Sequence, residues 1–395
     1  MKHSRRSLLA RSILARSLAL GLGIAATAAV QAQAIEPIRI GVLMPTSGGG
    51  ATYGIPALNG VKLAVDEINA KGGVNGRKIE FVVRDTQLKP AVGVAAAKEL
   101  ITNEKVHLLF GTVSSGVALA VSELAREEKI VFYSPIAKTK SLTADNLHKY
   151  IFQGSSTSDT EAKSMAAIAG KVGIKKLCAT GYDYAYSHDA FAALKRLLPP
   201  GVQYGPEFLV KLGTTDYNAL ISQLSAADCD GVANLIWGGG FISFAKQGKP
   251  FGLFKSKKFI SGAEIGSHET ATSLKADYPE NFWSNSYDLW YHSPTPALDA
   301  FHKSLAKLEG TEQVNMWPIT TYIGIKFIAA AIAKAGGTQA DKLVSALEGM
   351  SIDTPLGPRT IDAKTHRVNM GQFWGQMLPS KKGDFYEMSA PVFMD

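Results

Sequence analysis

The sequence predicts an α/β protein built from two parallel, doubly wound lobes. Three observations carry that prediction. Strand and helix patterns alternate without a break from Pro37 to Gly111. A second alternation of the same kind begins at Thr160. A long segment, 318–335, is apolar on every face, so it reads as a helix buried in a core.

In chain order, the first lobe opens with a strand (38–44), a Gly-rich loop (46–54) and a helix reaching about Ala70. A Gly-Gly turn, a strand (78–84), a helix (92–103) and a strand (106–110) follow. The next helix, 115–128, places Val117, Ala120, Val121, Leu124 and Ala125 on one face. A strand (130–134), a polar turn through Lys140 and a short strand (150–154) complete this part, and polar residues 155–159 read as the first crossing between lobes. The second lobe alternates helix 160–172, strand 176–181, helix 188–198, strand 203–210, helix 217–227, strand 232–237, helix 241–247 and strand 258–261. The chain is expected to cross back near 285–289, to place helices 318–335 and 340–347 on the first lobe, and to return with strand-like pieces at 359–362 and 371–378. The expected boundaries are 35–154 with 287–350 for lobe one, and 155–286 with 351–395 for lobe two.

Residues 1–34 read as an export leader rather than as fold. Lys2, Arg5, Arg6, Arg11 and Arg16 precede an apolar stretch from Leu18 to Val30, and Ala32-Gln33-Ala34 has the small-x-small form of a cleavage site. Ser4-Arg5-Arg6 fits a twin-arginine signal and an ordinary secretory signal equally. The formal charge of +8 falls to about +3 once those five residues are set aside, which removes any argument from charge for nucleic acid. Apolar residues make up 46% of the chain and charged ones 19%, as expected for a full globular core. An exported α/β chain of this kind points to capture of a small molecule rather than to its transformation.

Two cysteines are present, Cys178 within a strand and Cys229 just before the next buried one. An exported protein can form a disulfide. The two positions are staggered by about three residues, so two free, buried thiols are the favoured expectation. The histidines are dispersed and no zinc spacing occurs, so neither metal nor cofactor is expected.

Four motifs fall where strands end. Thr46 to Gly54 lacks the third glycine of a dinucleotide loop, because Tyr53 stands there, and it reads as a cleft loop with Tyr53 as an aromatic contact. Gly111-Thr112-Val113-Ser114-Ser115-Gly116 opens a helix, whose free N–H groups and serine hydroxyls suit a carboxylate; one of Ser114 and Ser115 is expected to cap and the other to face the cleft. In a sheet of order 2-1-3-4-5 these two loops flank the point where strand order reverses, which is where ligands bind. Ser134-Pro135-Ile136-Ala137-Lys138-Thr139 follows the next strand, with Lys138 as a solvated lysine or a partner for a ligand anion. In the second lobe, Tyr184 and Tyr186 follow Tyr182, and Trp237 precedes Gly238-Gly239-Gly240-Phe241. Rings with a few polar anchors suit a small-molecule pocket, and Glu264, after the strand ending at Ser261, could hold an ammonium. No G-x-S-x-G elbow occurs, and His268-Glu269 lacks the second histidine of a zinc protease motif.

Taken together, "IGVLMPTSGGGATYG", "ALNGVKLAVDEINAKGGVNGRKIEFVVRD", "SSGVALAVSELAREEKIVFYSP" and "TPLGPRTID" resemble the type I periplasmic binding proteins of branched-chain amino acid uptake. The resemblance runs over nearly the whole chain after the leader. It implies two Rossmann-like lobes joined by three crossings, closing on a ligand and docking on a membrane ABC permease. By position it makes Ser115 the serine for a ligand carboxylate, and Tyr53 and Tyr186 cleft tyrosines of the two lobes. Trp317 becomes a wall of the side-chain pocket, and Glu264, within one residue of the family's acid, a holder of an α-ammonium. Two departures stand out against that pattern. Lys138 replaces a threonine, and Gly240 stands near a position where a tyrosine is common. The first adds a full charge and the second leaves room. Both suggest a larger or more acidic ligand, such as an aromatic or other organic carboxylate, which competes with a branched-chain or other aliphatic amino acid.

The expected function is thus a periplasmic solute-binding component of an ABC importer that closes on a branched-chain or other aliphatic amino acid, with an aromatic or other organic carboxylate or an amide as the alternative ligand: not an enzyme, a monomer, with no nucleic-acid partner. The ligand set is Tyr53, Ser114, Ser115, Ile136, Ala137, Lys138, Tyr184, Tyr186, Trp237, Phe241, Glu264 and Trp317. A ligand sensor for a membrane receptor and an exported hydrolase stand as alternatives.

Overall fold

The computed structural model describes residues 36–280 and 282–394; the leader expected over residues 1–34 lies outside the described residues. Along the first part of the chain β1 (Ile38–Met44), α1 (Ala51–Ala70), β2 (Ile79–Asp85), α2 (Pro90–Thr102), β3 (Leu108–Gly111), α3 (Ser115–Glu128), β4 (Phe132–Ser134) and β5 (Ile151–Gln153) succeed one another. Their strands form a five-stranded sheet of order β2-β1-β3-β4-β5, parallel throughout. β1 shows why its sequence is nearly all apolar. Ile38, Ile40, Val42 and Met44 enter one core and Leu43 enters another on the opposite face. A parallel strand covered by helices on both faces has no wet side.

The second part runs α4 (Ser158–Lys171), β6 (Lys176–Tyr182), α5 (Ala185–Leu197), β7 (Gln203–Val210), α6 (Asn218–Ala226), β8 (Gly231–Leu235), α7 (Gly238–Gly248), α8 (Leu253–Ser256), β9 (Lys258–Ser261), α9 (His268–Leu274) and β10 (Phe282–Ser286). Then come α10 (Pro296–Glu309), α11 (Pro318–Ala335), α12 (Ala340–Leu347), β11 (Ser351–Ile352), β12 (Arg359–Thr360), β13 (Gln372–Pro379) and β14 (Tyr386–Met394). The second sheet has the order β14-β13-β10-β9-β8-β6-β7, with β13 and β14 antiparallel at one edge. β11 and β12 pair only with each other, so the piece expected as a strand near 359 forms a small ribbon and does not join the large sheet. β14 was not foreseen; its alternation of half-buried and exposed residues gives it a weak apolar signal.

α11 is buried, as its uniform apolarity predicts, and lies tightly on α1. The contact requires Gly60, where a Cβ would come within 2.0 Å of the Pro318 carbonyl oxygen. Thr321 Oγ1 donates to the Ala57 carbonyl at 2.6 Å across the same seam. Just before α11 the backbone N–H groups of Met316 and Trp317 donate to Glu269 Oε1 at 2.7 and 3.3 Å. Glu269 belongs to α9, in the other lobe, so its carboxylate ties the two lobes together at a helix N-terminus, where negative charge is favoured.

The cysteines depart from expectation: Cys178 and Cys229 form a disulfide with a Cα–Cα distance of 5.9 Å. Cys178 pairs in register with Val232, three residues beyond Cys229, so the stagger is real. It is closed because the chain turns back before β8, with the Cys229 N–H bonded to the Ala227 carbonyl.

Two predictions follow from this architecture. The disulfide spans 51 residues of sequence, so replacing both cysteines by serine should lower unfolding stability by about 2–4 kcal/mol in denaturant titration. Reductant should then affect the parent protein and not the variant. Burial pushes the Glu269 carboxyl up to about 7. In the unfolded chain it titrates near 4.3, so between roughly 4.3 and 7 the folded protein binds more protons and its stability falls as pH rises. Glu269→Gln removes that component. The melting temperature of the variant minus that of the parent should therefore climb between pH 4.5 and 7, and a flat difference would contradict the assignment.

Candidate functional site

A cavity lies between the two sheets, lined by Tyr53, Val113, Ser115, Ile136, Lys138, Tyr184, Tyr186, Trp237, Ala263, Glu264 and Trp317. The origin of these residues follows from topology. Strand order reverses between β1 and β3 in one sheet and between β6 and β8 in the other. Tyr53, Val113 and Ser115 follow β1 and β3; Tyr184, Tyr186 and Trp237 follow β6 and β8. Both switch points therefore open onto one space, the place where open α/β sheets bind ligands. Ile136 and Lys138 follow β4, Ala263 and Glu264 follow β9, and Trp317 caps α11.

Aromatic rings form the apolar wall. Tyr53 stacks against Trp237 at 5.4 Å between centroids and lies tilted against Trp317 at 4.5 Å. The Tyr53 hydroxyl donates to the Ala263 carbonyl at 2.7 Å and accepts from the Gly238 N–H at 3.2 Å, so a side chain of one lobe is fixed by backbone of the other. Trp237 Nε1 donates to the Tyr184 hydroxyl at 2.9 Å. The indole N–H of Trp317 is buried and has no hydrogen-bond partner among the described residues. A buried donor left unpaired costs about 1–3 kcal/mol, so a ligand acceptor here would recover it.

The polar wall is a buried ion triad. Lys138 Nζ donates to Glu161 and to Glu264, with the side chains 5%, 0% and 2% exposed respectively. Glu161 also accepts from Tyr186, from Asn285 Nδ2 at 2.6 Å and from the Ala263 N–H at 3.2 Å. Glu264 accepts from Gln372, and its own N–H donates to Asn285 Oδ1 at 2.8 Å. Burial pulls the Lys138 amine down to about 8, against the upward pull of Glu161, so it is charged at neutral pH. Ala263 and Glu264 have φ of 61° and 56°, a left-handed turn that non-glycine residues adopt at a cost of about 1–3 kcal/mol and that is concentrated at functional sites.

Lys138 therefore faces two carboxylates of its own chain, and the anion partner anticipated for it is internal. Glu264 likewise is already paired with a cation.

Three expected ligand residues stand elsewhere. Ser114 is the residue before α3; it is buried, and its carbonyl accepts from the Ala118 N–H. The carbonyl of Ala137 takes hydrogen bonds from Gln153 and Ser155. Phe241 is fully buried against Phe244 and Phe282, because α7 begins three residues earlier than expected and turns its ring into the core. Gly240 does not open the pocket either: a Cβ there would lie 1.7 Å from the Tyr182 hydroxyl, so its space belongs to two tyrosines of the second lobe. Glu161, Asn285 and Gln372 were not foreseen. Glu161 reads in sequence as an ordinary acid in a first helical turn, and only the tertiary fold brings it to Lys138.

Residues 37–383 match the periplasmic binding protein family. Among curated proteins, the leucine-, isoleucine-, valine-, threonine- and alanine-binding protein of Pseudomonas aeruginosa is 25% identical over 338 residues, covering 84% of this chain and 87% of its own. Among solved structures, an ABC-transporter solute-binding protein of R. palustris in complex with 4-hydroxybenzoate aligns with a TM-score of 0.83 and 26% identity, over 91% of this chain and 97% of its own. A second, from Rhodopseudomonas palustris BisB5 in complex with 3,4-dihydroxy benzoic acid, aligns at 0.79 and 26%, over 91% and 98%. The match takes in the first sheet, all of the second but β14, and every strand end that lines the cavity, and on that extent the chain belongs to the periplasmic binding protein family.

Proposed function

We propose that this chain is the solute receptor of an ABC importer, carried to the periplasm by its basic and apolar leader, and that it captures a small carboxylate-bearing ligand between its lobes. The observation that carries the reading is the interlobe cavity, walled by rings with donors set among them. Ser115 opens α3, whose first N–H groups and positive end suit a carboxylate. The apolar body of the ligand lies against Tyr53, Trp237 and Trp317. Its relatives are binding proteins for amino acids or for hydroxylated benzoates, which brackets the ligand by size and by its acid group.

Function follows from closure. A ligand in this cavity touches both lobes at once, and it does so only when they face each other. The bound ligand thereby selects the closed form, and the closed form is the state that docks on the permease and releases its cargo there. Capture of this kind requires no bond to be made or broken.

Thermal unfolding of ligand-free protein against a panel of small carboxylates tests the proposal. A ligand at about 100 times its Kd adds roughly 2.7 kcal/mol to the native state and raises the midpoint visibly. Trp317→Phe keeps a ring and removes the unpaired N–H. It should weaken the best ligand about tenfold, the value of one hydrogen bond to a charged group. If affinity is untouched, Trp317 does not meet the ligand's acid.

A further inference from the structure

Trp237 stands between the ligand cavity and a second, larger one. We infer that its indole sets the greatest length of ligand the receptor accepts, and that the second cavity is room for an uncharged tail which the indole withholds. The inference rests on the receptor reading above and adds to it a residue that determines specificity.

The second cavity also lies between the lobes. Gly49 and Leu88 line it from the first, and Tyr182, Leu212, Thr214 and Ser243 are among those that line it from the second. Its whole lining is glycine and uncharged side chains, whereas Lys138 and Glu264 face the ligand cavity. Among the described residues, Trp237 is the one that lines both. The rim beside it is backbone. A Cβ on Gly238 would lie 2.9 Å from the Gly49 carbonyl oxygen, and one on Gly239 would lie 3.5 Å from the Gly49 Cα. The lobes meet there glycine against glycine, and the side chain that parts the two spaces is the indole.

This partition is held from several directions. The indole stacks on Tyr53 at 5.4 Å, and Tyr182 meets it edge to face at 5.6 Å. Its Nε1 donates to the Tyr184 hydroxyl at 2.9 Å. The Trp237 carbonyl accepts from the Tyr182 hydroxyl at 3.2 Å and from the Phe241 N–H at 3.3 Å, so ring and backbone are both fixed. A ligand growing toward a ring held in this way meets packed atoms, and added methylenes then cost affinity. Beyond the ring the surroundings suit an alkyl or aryl tail. Leu88, Leu212 and the Tyr182 ring offer apolar contact. The hydroxyls of Thr214 and Ser243 already donate to the Lys211 and Gly239 carbonyls, so they ask nothing polar of a tail.

Two series that grow by single methylenes read the length limit: benzoate to 6-phenylhexanoate, and alanine to 2-aminodecanoate. Calorimetric Kd values for the parent protein should improve about fourfold for each methylene buried, then worsen about tenfold once the tail meets the indole. Trp237→Ala joins the two cavities. The break should vanish, and members beyond it should bind about tenfold tighter than they bind the parent, a gain that damage to the fold does not produce. A parent series without a break overturns the inference and leaves the receptor reading standing. A break that Trp237→Ala leaves in place assigns the limit to another residue and also overturns it. Binding of no member of either series, by parent or variant, overturns the carboxylate receptor reading itself and the inference with it. Should Trp237→Ala not fold, Trp237→Leu keeps an apolar side chain of smaller size, and the break should then move to longer members; an unmoved break overturns the inference.

Discussion

Lys138 belongs to the loop after β4, whereas Glu161 and Glu264 belong to α4 and to the turn after β9. The three charges meet only when the lobes face each other, and there they are almost wholly buried. Buried ion pairs contribute little net stability, since desolvation consumes most of the attraction, but a missing partner is severely penalised. The triad therefore acts mainly as a constraint on geometry. It joins the lobes in the facing arrangement, and the left-handed turn at Ala263 and Glu264 is held so that the carboxylate reaches its cation. The neighbouring polar groups, Tyr186, Asn285 and Gln372, are placed to spread the remaining negative charge.

Around that constraint the lobes are joined by weaker, directional contacts. Tyr53 reaches backbone of the opposite lobe as donor and as acceptor, and its ring lies between two tryptophans. Glu269 holds the N-terminal end of α11 from across the cleft. These links use side chains against backbone, which fixes position without requiring a matched residue on the other side. Among the described residues the Trp317 N–H stays outside these contacts, without a partner.

The fold was largely legible in the sequence because parallel strands covered on both faces leave long apolar runs, and β1, β3 and β8 are of that kind. The cavity was legible where a motif sits at a strand end: Tyr53, Ser115, Lys138, Tyr184, Tyr186 and Trp237 are all of this type, and topology alone gathers them. What escaped depended on distances along the chain that no local pattern encodes. Glu161 and Glu264 are more than a hundred residues apart, and nothing in either neighbourhood announces a shared lysine. The start of α7 shows a different limit. Three glycines in a row read as a loop, yet they form the first helical turn, and that shift sends Phe241 into the core. The disulfide was missed because register was read as if the chain approached β8 extended, when a turn at 227–230 doubles it back.

The division of labour between fold and site also explains how similar chains can bind different acids. Sheets, helices and switch points fix where a ligand lies and that closure will enclose it, and they are shared by proteins of about 25% identity. Ligand identity is left to a few side chains at strand ends. There residues set charge as well as shape: Lys138 stands between two buried glutamates, one positive charge against two negative ones.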